Sequence, residues 1–442
     1  MIVIIGNGIS GVTTARYIRK RSDEPILIIS AESKYFFSRT ALMYVYMGHM
    51  KFEHTQPYEP HFWEKNRIEL KQARVNSVDT NAKQLKLDNG ETISYTSLVL
   101  AAGSKPNKFG WKGQDLKRVG GLYSKQDLEY VEECSDTLKR AVIVGGGLIG
   151  IELAEMFLSR NIEVHFLVRE GLFWGGVLPK RDSQMIMRHM DKHHGLHMHY
   201  NEELAEIVDN GQGEACAVIT KTGERIDCQF VGLTAGVSPN IDFLSESGIE
   251  TERGIMVNRF LETNIEDVYA IGDCAQFKEP LPNRRPIEQV WYTGKFMGET
   301  VAKTITGERT EYNPGHWFNS AKFFDVEYQT YGMVYNKLQE GESEFIFEDE
   351  KNEVLLHFVF DTDSHKFIGV NNFGIRLRHQ LFNEWLLQGA TIEDVLKDLK
   401  SANFDPEFYK HYEDAVIAQF NKEFNSSITA RKAKWWQTLV TK

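Results

Sequence analysis

An α/β chain with two Rossmann-like domains of the three-layer ββα type, followed by an α+β C-terminal domain, is predicted by three features of this 442-residue sequence. A unit of apolar strand, glycine turn and helix occurs twice, near residues 6 and 145. Apolar runs ending in small-residue turns accompany both copies in the same order. From residue 313 the chain changes character: 23 of its last 130 residues are aromatic, about 18% against 12% overall.

The first unit reads Ile2-Val3-Ile4-Ile5-Gly6-Asn7-Gly8-Ile9-Ser10-Gly11, then a helical stretch to about Lys20, a second apolar run at Ile26–Ile29 and an acid at Glu32. Gly6 permits a tight turn, Gly8 lets a pyrophosphate approach the backbone, and Gly11 allows a helix to pack closely on its strand. Phosphates would sit on the helix N-terminus, where unpaired N–H groups and the dipole favour anions. Glu32 is placed to accept from a ribose hydroxyl, slightly later in the chain than the usual acid.

The second copy is Ala141-Val142-Ile143-Val144-Gly145-Gly146-Gly147-Leu148-Ile149-Gly150, with a helix through Ser159 and a strand at Val164–Val168. One glycine-rich turn alone also serves purely structural bends; two, each between strand and helix, point to two bound dinucleotides. Leu98–Pro106 and Phe230–Asn240 are strands leaving into small-residue turns, and Asn264–Asp273 is a strand ending in Gly-Asp, suited to holding a polyol chain.

The rest of the composition narrows the possibilities. The 62 Asp+Glu outnumber 51 Lys+Arg, a net charge of −11, which argues against a general nucleic-acid binder. No run approaches the roughly 20 apolar residues of a membrane-spanning helix. Cys134, Cys216, Cys228 and Cys274 lie far apart with no metal-type spacing, so neither a disulfide scaffold nor a metal site is expected. Met1 runs directly into the first apolar segment, and a cytoplasmic location is expected.

This motif set resembles the two-dinucleotide-fold FAD oxidoreductases, the pyridine nucleotide-disulfide oxidoreductase superfamily, over about residues 1–335. The resemblance implies an FAD domain at 1–112 plus 240–312, a nicotinamide-nucleotide domain at 113–239, and a C-terminal interface domain with a helical extension at 313–442. It implies that Gly6, Gly8, Ile9, Ser10, Gly11, Glu32, Ser38, Arg39, Val75, Ala102, Gly103, Gly272 and Asp273 serve the FAD site. Gly145, Gly147, Leu148, Ile149, Gly150, Arg169 and Gly236 then serve the NADP or NAD site.

Phe36–Tyr44 decides the branch. Disulfide reductases carry redox cysteines on the corresponding helix, whereas this chain has none before Cys134. The segment is similar instead to that of the ferredoxin-, rubredoxin- and nitrite-reductase flavoproteins. The implied activity is hydride transfer from NAD(P)H to FAD and onward electron transfer to a ferredoxin- or rubredoxin-type protein or a small-molecule acceptor. By the same likeness Glu152 is the carboxylate near the reacting rings and Trp291 an aromatic beside the flavin. Tyr44 takes the place of a lysine that pairs with that glutamate in many relatives. Arg169 follows Val168, where NADPH enzymes carry an arginine for the 2′-phosphate, and this favours NADPH. Alternatives are a peripheral membrane NAD(P)H:quinone reductase and a redox-switched FAD-binding protein of the apoptosis-inducing-factor kind.

The histidines at 189, 193, 194, 197 and 199 read as a helix end, a turn at Gly195 and a surface strand; His197 and His199 share one strand face as an imidazole pair open to a metal, but no carboxylate or cysteine stands at ligand spacing and no metal is expected. Cys274, next to Asp273, reads as a small buried hydrophobe. Beyond 313, strands are expected at 344–348, 353–360 and 366–371, and helices near 375–401 and 406–440. The basic, aromatic Thr429–Leu439 suits a membrane-surface helix or an inward-packed end, the former not favoured, and the aromatic-rich domain makes a homodimer the expected assembly.

Overall fold

The computed structural model describes residues 1–405, 407 and 410–431. The chain forms two compact units, one of Met1–Arg169 with Gly195–Pro314, the other of Glu170–His194 with the residues from Gly315 onward.

In the first unit, Ile2–Ile5 is buried at every position, which requires cover on both faces of its sheet. That strand is the centre of a five-stranded parallel sheet in the order Val268–Ala270, Ser97–Leu100, Ile2–Ile5, Ile26–Ser30, Ile68–Gln72. The return helix Ile9–Arg19 lies against helix Trp291–Ile305 at very short range: a Cβ on Gly298 would fall 2.6 Å from the Ser10 carbonyl oxygen. An antiparallel meander of Val75–Asp79, Gln84–Leu87 and Thr92–Ser94 supplies the third layer type.

The second nucleotide motif repeats this plan. Its parallel sheet runs Leu196–Tyr200, Glu163–Val168, Arg140–Val144, Phe230–Leu233, Val119–Gly120, accompanied by the meander Leu204–Asp209, Ala215–Thr220, Arg225–Asp227. Gly195 makes its turn at φ +84, and His197 and His199 share one face of the edge strand, where both rings stack on His165.

The second unit is built on a five-stranded antiparallel sheet in the order Phe318–Phe323, Val326–Gly332, Phe367–Phe373, Val354–Asp361, Glu342–Asp349. Its aromatics form the core, with Phe345, Phe358, Phe382, Trp385 and Phe420 in one buried cluster. The helical pattern near 375–401 is two helices, His379–Gln388 and Ile392–Ala402. Gly389 ends the first in the left-handed region, and the Thr391–Asp394 capping box starts the second. The pattern near 406–440 contains helix Glu413–Glu423; Arg431 pairs with Asp398 at 2.7 Å, and Lys432–Leu439 lie outside the described residues.

The stretch 113–239, expected as one domain, gives up Glu170–His194 to the second unit. Helix Lys180–Met190 carries Asp182, fully buried, whose carboxylate meets His357 Nδ1 at 2.7 Å and accepts from Asn371 Nδ2 at 2.7 Å. A buried carboxylate needs such partners, and both stand on the C-terminal sheet, 175 and 189 residues away.

Candidate functional site

Both glycine turns have the same local physics. Gly6 (φ +110) sits where a Cβ would lie 2.1 Å from the Ala101 carbonyl oxygen, and a Cβ on Gly11 would lie 2.0 Å from the Gly6 oxygen. Gly145 (φ +122) is likewise closed off by Thr234, and a Cβ on Gly150 would lie 2.5 Å from the Gly145 oxygen. Gly8 and Gly147 differ. Each is the N-cap of its helix, with no side chain capping the exposed N–H groups and nothing within 4 Å of an added Cβ. An anion can therefore reach backbone donors at both helix starts.

A cavity of about 1000 Å³ runs past the first of these turns. Its walls include Gly6, Gly8, Ile9, Ser10, Glu32, Arg39, Val75, Ala102, Gly103 and Asp273 from the first motif set. They also include Leu148, Ile149 and Glu152 from the start of the second glycine-turn helix, and Trp291 from the start of helix Trp291–Ile305. Gly11, Gly145, Gly150 and Gly272 shape the backbone behind these walls rather than lining them.

Other expected positions fall elsewhere. Ser38 and Gly147 are not among the lining residues, nor is Gly236, which sits at φ +87 beside Asn107. Arg169 is exposed at the end of strand Glu163–Val168. Leu42 and Met43 line the cavity but Tyr44 does not: one step further round the short helix Leu42–Tyr46, its ring stacks on His49 instead.

Polar groups along the wall are held in a network. Arg39 pairs with Glu32, contacts the Tyr123 carbonyl and lies over the Tyr123 ring. The Tyr123 hydroxyl accepts from the Ser104 N–H at 2.9 Å, and Ser104 Oγ donates to Asp273 Oδ2 at 3.2 Å while accepting from Gln289 Nε2 at 2.8 Å. Burial raises the Asp273 carboxyl above its ordinary range, against the opposing pull of Ser104 and Arg39. Ahead of Trp291, the buried Arg284–Glu288 pair (3.1 Å) and the Tyr312 hydroxyl on Glu288 (3.2 Å) fix the loop that delivers the indole.

Two further residues, Tyr123 and Ser104, belong to the cavity wall. Ser104 lies inside the strand exit Leu98–Pro106, so a signal existed for it. Tyr123 carries none, because only folding brings its hydroxyl to the Ser104 amide. Cys274 is buried, its Sγ facing the Leu100 and Ile271 carbonyl oxygens, and burial pushes its thiol up to about 12. It is protonated at neutral pH and is no nucleophile.

Two helix N-termini left bare by glycine, with the start of the second helix bordering the cavity of the first turn, define a two-dinucleotide oxidoreductase. The family model described as pyridine nucleotide-disulphide oxidoreductase matches residues 1–298, and the chain belongs to that family. It is an FAD-dependent NAD(P)H oxidoreductase. The chain is 31% identical over 321 residues to the rubredoxin-NAD(+) reductase of Acinetobacter baylyi, covering 70% of this chain and 79% of that one. It is 29% identical over 400 residues to the CoA-dependent NAD(P)H sulfur oxidoreductase of Pyrococcus abyssi, covering 85% and 87%. It also matches the nitrite reductase of Bacillus subtilis at 28% over 280 residues, 63% of this chain, but spans only 34% of that longer protein. Among solved structures, a ferredoxin reductase from Rhodopseudomonas palustris shares the fold at TM-score 0.77 and 24% identity, over 84% of this chain and 91% of that one. Among the described residues no helix is long and apolar enough to cross a membrane.

Proposed function

We propose that the cavity seats FAD along the first glycine turn, that NAD(P)H approaches over the second, and that the electrons leave for a small redox protein of the ferredoxin or rubredoxin type. The supporting observation is that Leu148, Ile149 and Glu152 line the same cavity as Gly6, Gly8 and Trp291. When bound, FAD supplies the redox chemistry, taking a hydride from the nicotinamide and releasing electrons to an acceptor.

The chain's contribution is position and electrostatics. Gly8 and Gly147 leave helix N-termini open to the two pyrophosphates. Glu32, already gripped by Arg39, keeps a lone pair on Oε2 for a ribose hydroxyl, and Ser104 with Asp273 offers acceptors to the polyol chain. Glu152 sets a carboxylate at the start of the second helix, and the half-exposed Trp291 indole screens the cavity mouth from water. Arg169, at its strand end, is placed to meet a 2′-phosphate, and NADPH is the preferred coenzyme on this reading. No cysteine is among the cavity-lining residues, which separates this site from thiol-based sulfur chemistry. A cytoplasmic homodimer completes the proposal.

Stopped-flow absorbance of the purified protein with NADPH and NADH, followed by ferredoxin, rubredoxin and quinone acceptors, tests it. Rapid flavin reduction with fast turnover on an iron–sulfur or rubredoxin acceptor is expected. A colourless protein that refuses added FAD ends the reading; turnover with quinone alone transfers it to a quinone reductase. A long-lived reduced complex that is slow with every acceptor transfers it to a redox-switched binding protein.

A further inference from the structure

His189 stands in the last turn of helix Lys180–Met190 and His193 in the turn that follows, four residues apart and so on one face. Across from them, the hairpin between strands Phe318–Phe323 and Val326–Gly332 turns through Phe324 at φ +55 and presents Asp325. Three potential ligand atoms converge there. His189 Nε2 lies 3.0 Å from Asp325 Oδ1 and 3.2 Å from His193 Nε2, and His193 Nε2 lies 3.9 Å from the same carboxylate oxygen.

The rings are held from behind. His189 is 3% exposed, and its Nδ1 faces Glu353 Oε1 at 2.9 Å, with Lys192 Nζ on the same oxygen at 2.5 Å. A carboxylate behind an imidazole fixes the Nδ1–H tautomer and turns the Nε2 lone pair forward, the arrangement found behind metal-bound histidines. His193 is oriented by stacking on Phe324, ring centroids 3.9 Å apart. Asp325, by contrast, is largely exposed, so the front of the group is open to water.

A single proton placed among the three atoms serves one pair at a time; a divalent cation among them satisfies all three. A triangle with these three edges has a circumscribed radius of about 2.0 Å, the length of a zinc–imidazole or zinc–carboxylate bond. Two imidazoles and a carboxylate form a donor set that suits zinc, with a fourth position left to solvent. We propose that His189, His193 and Asp325 form a zinc-binding site, with Glu353 as the orienting carboxylate. The ion would tie the Glu170–His194 segment to the hairpin of its own unit. The carboxylate that the histidine cluster lacks in sequence is supplied by folding, which brings in Asp325 from 132 residues beyond His193.

A second group, Glu163, His165 and His197, serves as the internal control. There the Arg140 guanidinium already neutralises the Glu163 carboxylate, Nε to Oε2 at 2.8 Å, and His165 Nδ1 is backed at 2.9 Å by a second imidazole, His199, rather than by a carboxylate, so a cation gains less there.

The test is isothermal titration of chelator-treated full-length protein with Zn2+, paired with metal content and thermal unfolding. One equivalent of bound zinc and a raised Tm are expected. His193→Ala and Asp325→Ala, the latter on an exposed turn, should each weaken binding by about 10- to 100-fold with unchanged circular dichroism. His165→Ala should bind as the parent does. Absence of zinc binding by the parent overturns the proposal, as does undiminished binding by a correctly folded Asp325→Ala protein or loss of binding in His165→Ala.

Discussion

Arg39 grips both oxygens of Glu32, with Nη1 at 2.9 Å from Oε1 and Nη2 at 2.5 Å from Oε2. The backbone N–H of Lys125 donates to the same Oε1 at 2.8 Å. A residue seven positions away thus holds in place the acid that follows strand Ile26–Ser30, and both stand in the cavity wall. Fork geometry makes this pairing directional in a way that a lysine cannot match. Arg39→Lys is accordingly expected to weaken FAD retention by about 10-fold and Arg39→Ala by about 30-fold, roughly 2 kcal/mol. Reconstitution of flavin-free protein, followed by flavin fluorescence, measures this; equal affinity in all three proteins removes Arg39 from the site.

The first and middle glycines of the second turn invite a sharper comparison. Gly147 has an ordinary φ of −122 and open space above it, whereas Gly145 has φ +122 and backbone atoms at 2.7 Å. Gly147→Ala should leave Tm unchanged and raise the KM for NADPH by about 10-fold, by obstructing the phosphate approach. Gly145→Ala should lower Tm whether or not coenzyme is present. Coenzyme kinetics unaltered in Gly147→Ala would show that the phosphates bind elsewhere.

Glu152→Gln preserves shape and removes the ionisable carboxyl. It is expected to retain FAD while slowing flavin reduction by about 10- to 100-fold in single-turnover measurements. A rate equal to that of the parent protein excludes Glu152 from the hydride-transfer step.

On the proposed reading, coenzyme choice rests on Arg169. Arg169→Leu should lower kcat/KM for NADPH by about 10-fold and leave that for NADH nearly unchanged. A parent enzyme that favours NADH at the outset contradicts the assignment.

His357 gives the second unit a pH signature. Burial alone would lower its pKa, but hydrogen bonds to Asp182 and Glu344 outweigh that and push it up to about 9. A pKa raised above the unfolded value of about 6.5 contributes stability that is full below that pH and lost as pH climbs through about 9. The contribution is roughly 3 kcal/mol. Thermal unfolding should therefore show a falling Tm between about pH 7 and 10. In His357→Gln the remaining unfolding transition should lack this alkaline limb; an identical pH profile would locate the titration elsewhere.

Much of this was legible in advance because it is local. Gly6, Gly8 and Gly11, and again Gly145, Gly147 and Gly150, announce their turns through spacing that only a strand–helix junction with close backbone approach requires. The strands at 342–349, 354–361 and 367–373 showed in their aromatic and β-branched runs. Tyr44 stacks on His49 outside the cavity lining, and a five-residue helix offers too little periodicity for the sequence to say which side faces a cavity. The long helical pattern after 375 was divided by Gly389, whose left-handed turn makes two helices of it.

Taken by itself, the sequence determined that two nucleotide folds exist, where their turns lie, and that the cavity has no cysteine in the usual place for sulfur chemistry. Those properties depend on steric demands acting within a few residues. Tertiary structure alone decided that Asp182 would leave its own domain for His357, that Tyr123 would reach Ser104, and that Asp325 would meet two histidines. Burying a charge or filling a hydrogen bond selects partners by distance in space, and nothing in the order of the residues along the chain records that distance.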